Sequence, residues 1–207
     1  MRKKLFTKFN AELLNTLPVE HFDGRIVDVT GRIDAAHAVR WLLRQDILGF
    51  DTETRPQFRK GGHPYKVSIL QVSTRDTCFI FRLSVAGVAE AVRPLLEDKE
   101  RLKVGISWGD DIRALHTRLD YQPGTFVDIQ NLVGKVGIED LSLQKIYANL
   151  FRKKISKSQR LTNWDRPDLS HEQLVYAATD AWACVRMYEE LNRLLTTGDY
   201  ELLESEK

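Results

Sequence analysis

The first half of the chain alternates between helical and strand-like hydrophobic patterns. Residues 34–44 carry apolar side chains at the spacing of an amphipathic helix. Four strand-like runs surround this helix, at residues 25–30, 47–52, 66–73 and 77–83. Polar segments join the last three runs, and the first of these segments contains the turn residues Gly61, Gly62 and Pro64. Three consecutive strands with short connections predict an antiparallel meander.

In the second half the pattern becomes an alternation of helices and strands. Helices are predicted at 88–96, 110–119, 141–150 and about 171–195, and strands at 102–106 and 125–129. Ser170 and Gln173 have the spacing of a capping box at the start of the last helix. The whole pattern predicts an α/β fold in which helices flank a mixed sheet, with an antiparallel meander followed by parallel crossover strands.

The length of 207 residues suits one ordinary domain. We divide the chain into a helical N-terminal extension (1–24), a main domain (25–196) and a C-terminal tail (197–207). The helical prediction for the extension rests on Leu13, Leu14 and Leu17, which share one helical face.

Cysteine usage and hydropathy bound the cellular setting. Cys78 and Cys184 lie in apolar segments, as expected for reduced core thiols. No apolar run approaches the roughly 20 residues that span a bilayer, and the first residues lack the apolar core of a secretory signal. We therefore expect a cytoplasmic protein with no membrane partner.

Carboxylates cluster where two apolar segments end. Asp51 and Glu53 follow a strand-like run, and because strand side chains alternate, both point to the same face. Such a pair repels unless a cation lies between its members, and a divalent metal with oxygen ligands meets this need; a solvated strand end is the alternative. Asp110 and Asp111 follow the strand at 102–106, at a helix start where capping also favours aspartate.

A further acid lies within the last predicted helix. Tyr176 and Asp180 are four residues apart and share a helical face, among apolar and small neighbours. An aspartate in this setting is expected to be partly buried and to need a partner, either a metal or a nearby arginine.

The order of these motifs, an acid pair, a third acid and then Tyr-x-x-x-Asp, resembles the tyrosine-containing branch of the DEDD 3′–5′ exonuclease superfamily. That branch includes ribonuclease D and the Werner syndrome exonuclease domain, and the resemblance covers roughly residues 25–195. Residues 66–71 resemble its second core strand. Residues 157–164 resemble its Lys-Ser-x-Arg-x-Ser-Asn-Trp segment, with Thr162 in place of the serine. The resemblance implies a ribonuclease H-like fold.

The same resemblance implies a metal-dependent enzyme that hydrolyses phosphodiester bonds at the 3′ end of DNA or RNA and releases nucleoside 5′-monophosphates. Two Mg²⁺ or Mn²⁺ ions are implied: Asp51, Glu53 and Asp180 hold the first, Asp51 bridges to the second, and Asp111 supports the second through water. Tyr176 is expected to orient the attacking water. The family's spacing from a glycine and to an apolar residue selects Asp111 over Asp110.

Charge gives a local signal only, because the net charge is +2. Basic residues cluster in two segments: Arg55, Arg59, Lys60 and Lys66, and then Arg152, Lys153, Lys154, Lys157 and Arg160. We predict that Lys154, Lys157 and Arg160 bind phosphates of a single-stranded or 3′-end nucleic acid, with a solvated face as the alternative. Trp164 is predicted to stack on a base or to support its loop.

Two rival functions differ in class. A non-catalytic nucleic-acid-binding module could keep the same fold, but here every acid and the tyrosine are present. A ribonuclease H-type endonuclease is disfavoured by the Tyr176–Asp180 pairing. The sequence does not determine whether the substrate is DNA or RNA, nor does it determine the oligomeric state or the protein partners.

Overall fold

Strands and helices alternate along the part of the chain that this computed structural model describes, residues 2–58, 61 and 63–204. In chain order they are β1 (Lys3–Phe6), α1 (Ala11–Thr16), β2 (Arg25–Val29), α2 (Arg32–Leu42), β3 (Ile47–Glu53), β4 (Ile69–Ser73), β5 (Thr77–Arg82), α3 (Val88–Glu97), β6 (Leu102–Gly105), α4 (Trp108–Leu115), β7 (Phe126–Asp128), α5 (Ile129–Val133), a 3₁₀ turn (Gly134–Val136), α6 (Leu143–Phe151), α7 (His171–Thr197) and β8 (Tyr200–Leu203).

Six of these strands form one mixed sheet in the order β2-β5-β4-β3-β6-β7. β3, β4 and β5 make the predicted antiparallel meander. β6 runs parallel to β3, and β7 runs parallel to β6, as predicted for crossover strands. β2 closes the other edge, parallel to β5. The predicted α/β fold class is therefore confirmed.

Each face of the sheet is covered by helices, because strand side chains alternate between two apolar clusters. Leu48, Phe50 and Leu70 face the cluster built with α2, α3 and α4. Ile69 and Ile80 face the opposite cluster, built with α5, α6 and α7. Both cysteines are buried free thiols, as predicted. No helix in the described part of the chain is long and apolar enough to cross a bilayer.

The first 24 residues correct the prediction of a helical extension. Their first element is β1, which pairs in parallel with β8, a strand inside the predicted tail. Only α1 is helical, and none of its residues is buried. The helix is therefore present around Leu13 and Leu14, as predicted, but it does not extend to residues 3–6. Tertiary contacts hold those residues as a strand: Leu5 is fully buried, and the Asn149 amide both accepts from the Phe6 N–H and donates to the Phe6 carbonyl.

Other differences concern short elements. β8, α5 and the 3₁₀ turn, each at most five residues long, are not predicted by the sequence pattern. β4 begins at Ile69 rather than at residue 66. Gly61 has a positive φ of 75°, as expected in a turn, whereas Arg59, Lys60 and Gly62 lie outside the described residues.

Gly49 allows α7 to lie directly against β3. A Cβ atom on Gly49 would lie 2.0 Å from the Ala181 carbonyl oxygen and 2.8 Å from the Val185 Cγ2 atom. Only a residue without a side chain permits this approach of helix backbone to strand backbone. The contact fixes where the neighbouring residue Asp180 meets the strand.

We expect Gly49→Ala to lower the free energy of unfolding by at least about 2 kcal/mol, because the helix backbone must move to admit the methyl group. Chemical denaturation measures the change. Gly134→Ala is the matched control, since a Cβ atom there meets nothing within 4 Å. A Gly49 variant as stable as the Gly134 variant would contradict the close-approach argument.

Candidate active site

Three carboxylates from two elements converge beside Gly49. Asp51 and Glu53 project from β3 on the side that faces α7, and Asp180 projects from α7 towards them. One ligand oxygen of each lies within 4.8 Å of the others. Asp180 is only 8 % exposed. Strand alternation and a helix packed on a glycine therefore produce a compact, all-oxygen donor set.

Burial and mutual repulsion dominate the electrostatics of this cluster. The pKa of Asp51 is raised well above its ordinary value, by burial first and then by the charges of Asp111, Asp180 and Glu53. Burial, with Asp180 and Asp111, raises the pKa of Glu53 to about 9. Burial raises the pKa of Asp180 to about 7, opposed by the Tyr176 hydroxyl and by Lys157.

The protein surroundings supply too little positive charge to keep all three carboxylates ionised at neutral pH. Among the described residues, no lysine, arginine or histidine forms an ion pair with Asp51, Glu53 or Asp180. Asp180 is buried and Asp51 and Glu53 are half-buried, and carboxylates withdrawn from water in this way are normally paired or bound to a metal. Their hard oxygen ligands suit Mg²⁺ or Mn²⁺ better than metals that prefer sulfur or imidazole.

Asp111 lies outside the set within 4.8 Å but close enough for its charge to raise the pKa values of Asp51 and Glu53, whereas Asp110 points away from the site. The Thr52 hydroxyl donates a hydrogen bond to Asp111, and burial raises the pKa of Asp111 to about 6. Asp110 is exposed and pairs with Arg113 on the outer surface of α4. The geometry thus places Asp111, the residue chosen from spacing, beside the other acids.

Tyr176 lies one helical turn before Asp180 and lines the same pocket as the carboxylates. Burial, and then the charges of Asp180 and Glu53, raise the pKa of its phenol, so the hydroxyl stays protonated at neutral pH. The Trp164 ring packs 5.9 Å from the Tyr176 ring. Trp164 is fully buried, which excludes base stacking and leaves the predicted supporting role.

The capping box of α7 is present and does more than begin the helix. Ser170 and Gln173 exchange the two expected hydrogen bonds. The Gln173 amide also donates to the Thr162 hydroxyl at 2.9 Å and to the Asn163 carbonyl at 3.3 Å. The threonine that replaces the family's serine therefore keeps the hydroxyl that this contact needs, and segment 157–164 is fastened to the helix that carries Asp180.

The second basic segment divides into two groups with different environments. Lys157 and Arg160 are exposed and line the carboxylate pocket. The Lys154 ammonium donates a hydrogen bond to the Asn15 carbonyl at 2.6 Å, and the Lys153 ammonium forms an ion pair with Glu20 at 2.6 Å. Lys154 therefore holds the N-terminal residues, and the prediction that it binds phosphate is not supported by its position.

Sequence reasoning missed several residues that shape the pocket. Ile106, Leu143, Gln144 and Ser156 line it, and Thr52 positions Asp111. Their signal in the sequence is weak, because they are ordinary strand-end and helix-start residues. Gly49 was detectable, since a glycine inside an apolar strand, two residues before an acid on the same face, indicates close backbone approach.

Comparison with known proteins agrees with this geometry. A family model described as 3′–5′ exonuclease matches residues 26–196. The chain is 34 % identical over 157 residues to a 3′–5′ exonuclease of Arabidopsis thaliana, covering 71 % of this chain and 53 % of the relative. It is 29 % identical to the mouse bifunctional 3′–5′ exonuclease/ATP-dependent helicase WRN, over 74 % of this chain and 11 % of that protein. The chain belongs to the 3′–5′ exonuclease family, as the motif resemblance predicted.

Solved structures show the same fold. The Nibbler EXO domain of Aedes aegypti matches with a TM-score of 0.78 at 22 % identity, covering 88 % of this chain and 95 % of that one. Ribonuclease D of Escherichia coli matches with a TM-score of 0.70 at 16 % identity, over 86 % of this chain and 52 % of that one. The chain thus spans about half the length of two of these proteins and a small part of the WRN protein.

The raised pKa values predict a pH-dependent response to metal. In the metal-free protein the native state binds protons more tightly than the unfolded chain does. The free energy of unfolding should therefore fall as pH rises from about 4, where these acids ordinarily titrate, through about 9, where Glu53 does. A divalent cation relieves the repulsion and competes with those protons. We expect Mg²⁺ to raise Tm more at about pH 9 than at about pH 5, measured by calorimetry against a chelator.

Two variants control this experiment. Asp51→Asn should lose most of the Mg²⁺ effect, and Asp110→Asn should keep it. A Tm increase of the same size at both pH values would show that the ion binds elsewhere.

Asp111 and Asp110 should differ sharply in nucleotide release from a 3′-labelled oligonucleotide. Asp111→Asn removes a charge beside Asp51 and should lower kcat by at least about 100-fold, on the scale of losing one electrostatic contact to the transition state. Asp110→Asn removes a solvated ion pair and should leave kcat within about threefold. The reverse ranking would place the third acid one residue earlier.

Proposed function

We propose that this chain is a metal-dependent 3′–5′ exonuclease that releases nucleoside 5′-monophosphates from the 3′ end of single-stranded DNA or RNA. One observation carries the proposal: Asp51, Glu53 and Asp180 converge within 4.8 Å, and none of the three forms an ion pair with a lysine, arginine or histidine among the described residues. Family membership supports the reaction class. The activity, substrate and cellular partners of the whole protein belong to this proposal.

The metal proposed is Mg²⁺ or Mn²⁺, with two ions as the family resemblance implies. Asp51, Glu53 and Asp180 would hold one ion, and Asp51 with Asp111 would serve the second. When bound, such ions supply activation of a water, neutralisation of phosphate charge and stabilisation of the leaving oxygen.

The remaining pocket residues supply orientation and charge. Lys157 and Arg160 line the same pocket as the acids and would bind the phosphates that approach it. The Tyr176 phenol, held protonated by burial and by its acidic neighbours, would donate a hydrogen bond to the attacking water or to a phosphate oxygen. The ordinary pKa of a phenol, about 10, already lies well above neutral pH and is raised further here, so Tyr176 stays protonated and acts as a positioning donor rather than as a general base.

RNA is supported as one substrate by a structural relative. Ribonuclease D of Trypanosoma brucei, with a TM-score of 0.72 at 16 % identity, has been crystallised in complex with RNA U12. DNA is supported by the DNA polymerase I of Aquifex aeolicus, which is 26 % identical over 84 % of this chain. We therefore propose both DNA and RNA as substrates, and the two should be compared directly. We also propose that the protein is cytoplasmic.

Matched 3′-labelled and 5′-labelled oligonucleotides of DNA and RNA test the proposal. In Mg²⁺ or Mn²⁺, the 3′-labelled oligonucleotide should release labelled mononucleotide at once, and the 5′-labelled oligonucleotide should shorten step by step into a ladder. Both reactions should stop in chelator. Asp180→Asn should be inactive. Internal fragments would indicate an endonuclease, and tight binding without hydrolysis would indicate a non-catalytic binding module.

Lys157 and Arg160 should contribute to nucleic-acid affinity, and Lys154 should not. Replacing Lys157 and Arg160 together by glutamine should weaken binding and flatten the salt dependence by about 0.7 per lost phosphate contact on a single strand. Lys154→Gln is the matched control, because its ammonium already binds the Asn15 carbonyl. Affinity is measured against salt concentration with Ca²⁺ in place of Mg²⁺, after checking that the oligonucleotide stays intact. If the affinity of the double variant and that of the control depend equally on salt, Lys157 and Arg160 do not bind phosphate and belong to a solvated face.

A further inference from the structure

An exposed patch of large apolar side chains adjoins the carboxylate pocket. Phe58 is 75 % exposed, Leu161 62 % and Tyr65 38 %. With Arg55 these side chains line an open cavity of about 610 Å³. We call Arg55, Phe58, Tyr65 and Leu161 the aromatic patch. Exposed apolar side chains that group in this way generally mark a binding surface.

Two chain segments form the aromatic patch, and each leads directly to a residue of the carboxylate pocket. Arg55 follows Glu53 by two residues, and its N–H donates to the Ser68 hydroxyl at 3.3 Å. Leu161 follows Arg160, which lines the carboxylate pocket itself. A chain whose end lies among the carboxylates would therefore run directly onto this patch.

The chemistry of the patch suits unpaired nucleotides. The Arg55 guanidinium lies 4.7 Å from the centre of the Tyr65 ring, which holds a cation beside an aromatic face. Asn163 also lines the cavity, and none of the described residues that line it is acidic. Aromatic faces stack on any base, arginine attracts the backbone, and the absence of acids there keeps phosphates from being repelled.

We propose that the aromatic patch is a stacking platform for the unpaired bases that lie just upstream of the scissile bond. This inference rests on the proposed exonuclease function and deepens it. The substrate class is a single-stranded 3′ end, gripped with little sequence preference, because stacking does not distinguish bases by their hydrogen-bonding edges. Paired bases present no free faces to the platform, so a blunt duplex should be a poorer substrate.

Two oligonucleotides test the platform by single-turnover release of the 3′-terminal nucleotide in Mg²⁺. One is intact, and the other lacks the bases of the three nucleotides next to the terminal one but keeps their sugars and phosphates. At subsaturating protein, the natural chain should release the nucleotide from the base-free strand at least about tenfold more slowly. Phe58→Ala with Tyr65→Ala should slow release from the intact strand by a similar factor and leave the base-free strand nearly unchanged.

Two further variants separate stacking from folding. Phe58→Tyr with Tyr65→Phe keeps both rings and should keep the preference for the intact strand. Ile33→Ala removes a side chain that is 72 % exposed on α2, outside the aromatic patch, and should change neither rate. Thermal midpoints are measured for each variant alongside the rates.

Equal losses on the two strands for the double alanine variant, or no loss on either, would overturn the stacking platform. If the unsubstituted protein releases the terminal nucleotide equally fast from both strands, the stacking platform is overturned as well, while the exonuclease function stands. If no oligonucleotide loses its 3′ nucleotide, the proposed function itself fails.

Discussion

The contact between α7 and β3 at Gly49 determines how the rest of the site is arranged. Helix and strand meet with backbone against backbone, because a methyl group on Gly49 would lie 2.0 Å from the Ala181 carbonyl oxygen. Asp180 precedes that carbonyl by one residue, and Asp51 follows the glycine by two. Two elements far apart in sequence thereby bring their carboxylates within metal-ligating distance. The position of Tyr176, one turn earlier on the helix, follows from the same contact.

The close approach of these carboxylates lowers the stability of the folded protein. Buried carboxylates close to one another disfavour ionisation, as the pKa of about 9 for Glu53 shows. The surrounding apolar clusters must therefore supply the free energy that keeps the acids together. A divalent cation between these carboxylates would replace the repulsion with attraction, so the folded protein should be less stable without the ion than with it.

Much of this could be predicted from the sequence, and the failures have physical causes. Periodicity identified the meander, the crossover strands and α7, since each buries a repeating apolar face. The acids were identifiable because apolar strands and a small-residue helix are unusual surroundings for carboxylates. The N-terminal strand was missed because it depends on Asn149 and on β8, which are distant along the chain. Lys154 and Lys157 are three residues apart with the same chemistry, and only tertiary contacts assign one to Asn15 and the other to the pocket.

The bond from Gln173 to Thr162 has a consequence for how a substrate would be captured. Segment 157–164 is anchored to the first turn of α7 at Thr162 and Asn163, so the backbone that carries its cations is held against the helix that carries Asp180 before any ligand arrives. No loop has to be ordered on encounter at this side of the pocket, and the conformational entropy of the segment was already lost on folding. More of the phosphate contact energy then remains as affinity, and association should be limited by diffusion and charge rather than by a closing motion.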